Sequence, residues 1–157
     1  MDLFLRALHI LAAAVWVGGI AFLGLVAAPV LRRELPPAQR IVLLSKVGRR
    51  FDPIGWGALV VLAITGIAQI LRTGVPLNLL FSTSYGALLL TKLGLVALIV
   101  LATAVHSYVW GPRLEALAAQ AESLEATRLR RRMAALSGTN LLAALIVFVL
   151  GVYLAHG

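Results

Sequence analysis

Four long stretches of this chain contain no aspartate, glutamate, lysine or arginine, and they constrain its fold more than any other feature. They cover residues 7–31, 53–71, 93–112 and 133–157. A helix that crosses a bilayer needs about 20 mostly apolar residues, so each stretch is long enough to form one. Because backbone polar groups in lipid must be satisfied internally, the helix also solves the hydrogen-bonding problem that the bilayer imposes.

The overall composition agrees with a membrane fold. Hydrophobic residues make up 61% of the 157-residue chain and charged residues 13%, whereas a soluble protein carries about 25% charged residues. The sequence therefore predicts an all-α integral membrane four-helix bundle, with the lipid bilayer as its first partner. The single transmembrane domain is expected to cover residues 1–157, with helices over approximately 3–31, 53–72, 85–111 and 134–156.

The three connections between these helices differ sharply in charge. Residues 32–52 and 113–136 carry six and five Lys and Arg residues, and residues 73–84 carry none. Basic connections stay on the cytoplasmic side of a membrane. The sequence thus predicts a multi-pass protein of the inner, cytoplasmic membrane with both termini outside, in the periplasm. The same rule accounts for the net charge of +8, so no nucleic-acid partner is predicted.

Polar residues within the apolar runs are the candidates for function, because a polar group in hydrocarbon is costly and needs a partner or a purpose. Depth along each helix follows from a rise of about 1.5 Å per residue. Four candidates fall near the outer side: His9, Gln69, Lys92 and His156. Two fall near the inner side: His106 and Asn140.

The third helix carries two of these candidates on one face. Lys92 and His106 are 14 residues apart, or two heptads, so they point the same way and are expected to face the bundle interior. Lys92 either extends its long stem to the outer interface or forms an ion pair, a contact with a cofactor propionate or a heme ligand. His106 and Asn140 are expected to form an inner polar pair, which would suit hydrogen bonding across helices.

The first helix combines a histidine with room around it. His9 shares its face with Trp16, and the small residues Gly18 and Gly19 would let another helix or a flat cofactor approach. His9 is either satisfied by a neighbouring carbonyl or functional. His156 is the penultimate residue and a weaker candidate, since chain ends fray.

Several kinds of site are excluded by composition and motif. The chain has no cysteine, which rules out disulfides and thiolate metal sites, and two methionines, which rules out a methionine-rich copper site. It has no P-loop, HExxH, GxSxG or dinucleotide fingerprint. These absences favour a non-enzymatic role.

The short motifs of the four helices form a pattern. They read Leu8-His9-Ile10, Trp16-Val17-Gly18-Gly19, Arg50-Phe51-Asp52-Pro53, Thr65-Gly66-Ile67, Lys92-Leu93 and Asn140-Leu141-Leu142. With them the chain resembles the copper resistance D family of bacterial membrane proteins over most of its length. Its opening Leu-His-Ile…Trp and its Lys92…His106 pair are also similar to the small membrane protoporphyrinogen oxidases, although Leu141 stands where that family has an acidic residue.

The resemblance and the polar residues together leave three alternative functions. The leading one is copper handling, in uptake or resistance, with His9 and His156 as metal ligands, since imidazole suits copper. The second is a b-type heme protein that oxidises a porphyrin or quinol or transfers electrons. Its cofactor-binding candidates are His9, Trp16, Gln69, Lys92, His106 and Asn140. The third is a structural subunit without a cofactor, and a second copy of the chain or a larger membrane complex is a further candidate partner.

Overall fold

The computed structural model describes residues 2–74 and 81–156, with the side chains of residues 2, 73, 155 and 156 outside that description. The described chain is helical and contains no strand. In chain order its elements are α1 (Asp2–Ala21), a π-helical turn (Phe22–Ala27), α2 (Ala28–Glu34), α3 (Pro37–Thr73), α4 (Ser84–Ala104), a second π-helical turn (Val105–Trp110), α5 (Gly111–Ala116), a 3-10 turn (Ala118–Gln120) and α6 (Leu124–His156).

These elements form four spans that are long and apolar enough to cross a membrane. Their bounds are Leu3–Glu34, Pro37–Arg72, Ser84–Ala116 and Leu124–Leu154. The all-α membrane bundle expected from the sequence is therefore confirmed. One end of the bundle carries the two Arg-rich connections and is called the basic end; the other carries both chain termini and is called the terminal end.

Each π-helical turn directly precedes a segment whose second residue is proline, Pro29 in α2 and Pro112 in α5. Proline lacks a backbone N–H, and its ring collides with the carbonyl four residues earlier. A widened turn moves that carbonyl away, so the helix continues through the proline. His106 lies within the second widened turn.

The first connection differs from the sequence prediction. α3 begins at Pro37, and Pro53, expected in the first turn of the second helix, lies inside it. Charge ends the apolar stretch but not the helix, because Arg, Lys, Gln and Leu are all good helix formers. At 37 residues α3 is about 55 Å long. It therefore projects well beyond a hydrocarbon core of about 30 Å.

The third connection combines a short extension of the third span with a long extension of the fourth. The third span ends in α5 at Ala116, and α6 starts at Leu124, within the arginine-rich segment. Arg113 donates to Glu125 at 2.7 Å and so joins the two extensions. A second ion pair, between Arg49 and Glu115, joins α3 to α5.

The spans pack as two neighbouring pairs. The most extensive interfaces lie between α1 and α3 and between α4 and α6, and α1 also contacts α6. One buried residue from each span forms the central core: Trp16, Ala58, Ile99 and Ala144. Trp16 is the largest of them and is only 4% exposed. This core lies between two layers of polar side chains.

Candidate functional site

One residue in each span lies seven positions from the core residue of that span, on its terminal side. The four residues are His9, Thr65, Lys92 and Gly151. Seven residues are two helical turns, or about 10 Å. A heptad spacing keeps side chains on the same face of packed helices. We call these four residues the terminal layer.

His9 and Thr65 form the hydrogen bond at the centre of the terminal layer. His9 Nδ1 lies 2.7 Å from Thr65 Oγ1. The Thr65 hydroxyl also lies 2.6 Å from the backbone carbonyl oxygen of Val61, to which it donates its single proton. Thr65 must then accept from His9, so the imidazole carries its proton on Nδ1. Thr65 is 2% exposed, so this arrangement is shielded within the bundle.

The consequence of this tautomer is a free lone pair on His9 Nε2. A neutral imidazole has one protonated and one unprotonated nitrogen. Proteins that bind a metal through histidine commonly fix the ring in this way, by holding the other N–H with an oxygen acceptor. Gly66, the residue after Thr65, leaves space beside the ring, and a Cβ there would lie 3.5 Å from His9 Cε1.

Lys92 brings a cation into the same layer. Its ammonium is close enough to act electrostatically on His9. A Cβ placed at Gly151 would lie 3.1 Å from Lys92 Nζ, so the absence of a side chain at Gly151 makes room for the amine. Lys92 therefore lies against the fourth span. Gln69 donates to the backbone carbonyl of Thr65 at 3.2 Å and borders the layer.

Of the two approaches expected at Gly18 and Gly19, by another helix or by a flat cofactor, the structure shows the first at Gly19. A Cβ at Gly19 would lie 2.2 Å from the ring of Phe51, which fills that position from α3. Gly18 is exposed on the bundle surface, and a Cβ there would meet nothing within 4 Å. Gly19 thus allows close helix packing and Gly18 faces outward, so neither leaves an internal cavity for a flat cofactor.

A second polar layer lies on the basic side of the core. His106 and Asn140 both belong to it, but they do not bond to each other as expected. His106 Nδ1 lies 3.4 Å from Ser137 Oγ, and Asn140 donates to Thr103 Oγ1 at 3.1 Å. Thr103 and His106 are three residues apart, as are Ser137 and Asn140, so the contacts lie about one helical turn apart and form two separate bonds between the third and fourth spans.

The second span supplies a carboxylate to this layer. Ser107 donates to Asp52 Oδ1 at 3.0 Å, and Asp52 also acts electrostatically on His106. Together with the two preceding bonds these residues form what we call the basic layer: Asp52, Thr103, His106, Ser107, Ser137 and Asn140. Near it, Trp56 stacks on Tyr108 with ring centroids 5.9 Å apart.

Sequence reasoning missed Thr65 as the partner of His9, although Thr65-Gly66-Ile67 is one of the motifs that carry the family resemblance. The missed signal is the repeated spacing of seven, which runs from His9 to Trp16 and from Ala58 to Thr65. This spacing assigns all four residues to inward faces. The spacing does not indicate which residues of neighbouring helices lie at the same depth. Only the packed structure gives that register.

Metal-binding capacity is limited in the described part of the chain. Residues 2–74 and 81–156 contain no group of three or more His, Cys, Asp or Glu side chains placed to hold one ion. The imidazole of His156, the second predicted copper ligand, lies outside the described side chains. Among those described, His9 is the imidazole of the terminal layer.

Comparison with known proteins identifies related sequences. The sequence pattern of the family described as copper resistance protein D matches residues 45–154, which include most of the second span and the third and fourth spans. The copper transport protein CutJ of Bacillus subtilis (strain 168) is 34% identical over 99 residues, 63% of this chain and 17% of CutJ. An uncharacterized protein of Aquifex aeolicus (strain VF5) is 33% identical over 106 residues, 67% of this chain and 66% of that protein.

The chain spans less than two thirds of each of these relatives, and only a small part of CutJ. No solved structure matches it. The family match nevertheless covers well over half of the chain and includes Thr65, Lys92, His106 and Asn140. The protein therefore belongs to the copper resistance protein D family.

Proposed function

We propose that this protein handles copper in uptake or resistance, and that the ion binds as cargo in the terminal layer of the bundle. The observation that carries the proposal is the bond between His9 Nδ1 and Thr65 Oγ1. It leaves His9 Nε2 as an unprotonated nitrogen that can act as a ligand inside the bundle. Imidazole nitrogen is a good ligand for copper.

Family membership and the similarity to the copper transport protein CutJ support copper as the metal. The chain has no cysteine, so nitrogen and oxygen atoms must provide most of the coordination. His156 belongs to the end of α6 that lies at the terminal end of the bundle. We propose it as the second imidazole ligand, in agreement with the sequence prediction.

Lys92 promotes the release of copper from the proposed site. A copper ion at His9 and the ammonium of Lys92 repel each other, and such repulsion is strong where water is scarce. The site is therefore expected to bind copper transiently, as transport requires, and not to store it.

The experiment measures copper in membranes from cells that produce each variant at matched abundance. His9→Ala is expected to lower bound copper at least about tenfold, His156→Ala less, and the double variant most. Thr91→Val is the matched control, because Thr91 precedes Lys92 but is exposed on the bundle surface. Copper content unchanged in the double variant would contradict the proposal.

The location of the site in the cell follows from a second part of the proposal. We propose that the basic end faces the cytoplasm of the inner membrane and that the terminal layer opens to the periplasm. The absence of native cysteine allows single-cysteine labelling. Cysteine at Ser84 is expected to react with an impermeant reagent from outside, and cysteine at Glu122 only after the membrane is opened. The reverse pattern would invert the topology.

A further inference from the structure

A groove of about 500 Å³ lies at the basic end, where the third and fourth spans leave the apolar region. It lies between the end of the second π-helical turn and the start of α6. Its polar lining consists of Trp110, Arg113, Glu125, Arg128 and Arg132, and two leucines complete the wall. Neither the family description nor the copper proposal uses these residues.

The charge of this arginine groove is unbalanced. Three arginines and one glutamate line it, and Arg113 already donates to Glu125 at 2.7 Å. Within the described residues, Arg128 and Arg132 have no ion pair. They lie four residues apart on one face of α6, where like charges destabilise a helix. An anion between them would remove this repulsion.

The shape of the lining selects an amphipathic anion. Trp110 lies near the end of the third uncharged stretch, residues 93–112. At this position it suits the boundary between lipid headgroups and acyl chains, which indole rings favour. Leu124, 64% exposed, and Leu129, 8% exposed, add apolar surface beside the arginines. Guanidinium groups bind phosphate oxygens through paired hydrogen bonds. The groove thus offers cations for a phosphate and apolar contacts for the adjoining chain.

We propose that the arginine groove binds the headgroup of an acidic phospholipid, with its phosphate between Arg128 and Arg132 and its glycerol region against Trp110 and the leucines. Basic pockets between membrane helices are suited to such headgroups. Another groove of the basic end serves as an internal contrast. It is lined by mostly apolar residues of α3 and the 3-10 turn, with Lys46 as its single cation.

The test is native mass spectrometry of the full chain in uncharged detergent, with equal amounts of phosphatidylglycerol and phosphatidylcholine. The wild-type protein is expected to retain phosphatidylglycerol at least about tenfold more than phosphatidylcholine. R128Q/R132Q should lose this preference. The matched control R33Q/R131Q also removes two exposed arginines of the basic end, neither of which lines the groove, and should keep it.

Three results would overturn the proposal. The first is a preference that survives in R128Q/R132Q, and the second is an equal loss in the control, which would indicate diffuse charge. The third is a rise in melting temperature with millimolar inorganic phosphate equal to that with phosphatidylglycerol, which would indicate a soluble anion as the ligand. If the double variant is poorly produced, the single variants R128Q and R132Q should each reduce the preference several-fold, and unchanged singles would likewise overturn the proposal.

Discussion

The two polar layers of the bundle have similar residue types but different bonding. In the basic layer the carboxylate of Asp52, the amide of Asn140 and the hydroxyls of Ser107 and Ser137 take part in bonds between spans. In the described part of the terminal layer, the bond that joins the side chains of two spans runs from His9 to Thr65, and Lys92 adds a cation. The basic layer thus joins its spans through three bonds between side chains, whereas the terminal layer combines one short bond to an imidazole with a nearby cation.

This difference separates stability from function. A polar group that bonds to a neighbouring helix contributes to helix association. A group held by one bond with a second atom free is oriented and still able to bind a ligand. We therefore expect changes in the basic layer to affect the stability of the fold, and changes in the terminal layer to affect copper.

Trp16 separates the two layers, and its removal is expected to have the largest effect. Trp16→Ala should lower the free energy of unfolding by about 3–5 kcal/mol, because it leaves a cavity in the central core. Val15→Ala, at a position 42% exposed, should cost less than about 1 kcal/mol. Thermal or denaturant unfolding in detergent measures both, and an equal loss in the two variants would show that Trp16 is not a core residue.

Two isosteric substitutions compare the layers directly. Thr65→Val removes the acceptor that holds the His9 ring, so the dissociation constant for copper should rise about tenfold, a typical effect of losing a partner that orients a metal ligand. Thr103→Val removes the acceptor of Asn140 in the basic layer and is its matched control. Titration with a competing copper chelator measures the affinity. Equal copper affinity in the two variants would remove the distinction between the layers.

The comparison of Thr65→Val with Thr103→Val also predicts a smaller effect, on the stability of the fold. Thr103→Val should lower stability by about 0.6 kcal/mol, and by no more than about 1.7 kcal/mol, the average and the maximum for hydrogen bonds between membrane helices, and should leave copper binding unchanged. The measurement is unfolding in detergent without copper. A Thr103→Val protein that binds copper more weakly, at unchanged stability, would transfer the functional role to the basic layer.

Of the substitutions that compare the two layers, Lys92→Met is expected to have the smallest effect. The exchange approximately keeps side-chain volume and deletes the charge. Copper should then bind several-fold more tightly, since the repulsion from the ammonium is gone, and should be released more slowly. Stability should rise slightly because a buried amine is costly. Stopped-flow transfer of copper to a chelator measures release. Weaker binding would indicate that Lys92 is a ligand.

The sequence predicted the spans because apolar length has a direct physical meaning in a bilayer. It predicted the helix ends less well at the basic end. There α3 and α6 continue through charged residues that favour helix as strongly as apolar ones do. Charge marks where a chain leaves lipid, and it does not mark where a helix ends. Pro53 was misassigned for the same reason.

The ionisable residues of the candidate site could be named from the sequence, but their partners and contacts could not. His9 and Lys92 were identified because ionisable groups inside a membrane need an explanation. Their grouping with Thr65 and Gly151 depends on the register between helices, and a single sequence does not specify it. Gly19 shows the same limit, since its small size predicted space whereas the ring of Phe51 fills it.

The most direct test of the central claim is X-ray absorption spectroscopy at the copper edge, on purified protein loaded with one equivalent of copper. We predict coordination by nitrogen and oxygen with an imidazole signature, which His9→Ala should remove and Thr103→Val should preserve. A spectrum that is identical in the wild-type and His9→Ala proteins, or one dominated by sulfur, would contradict a copper site in the terminal layer.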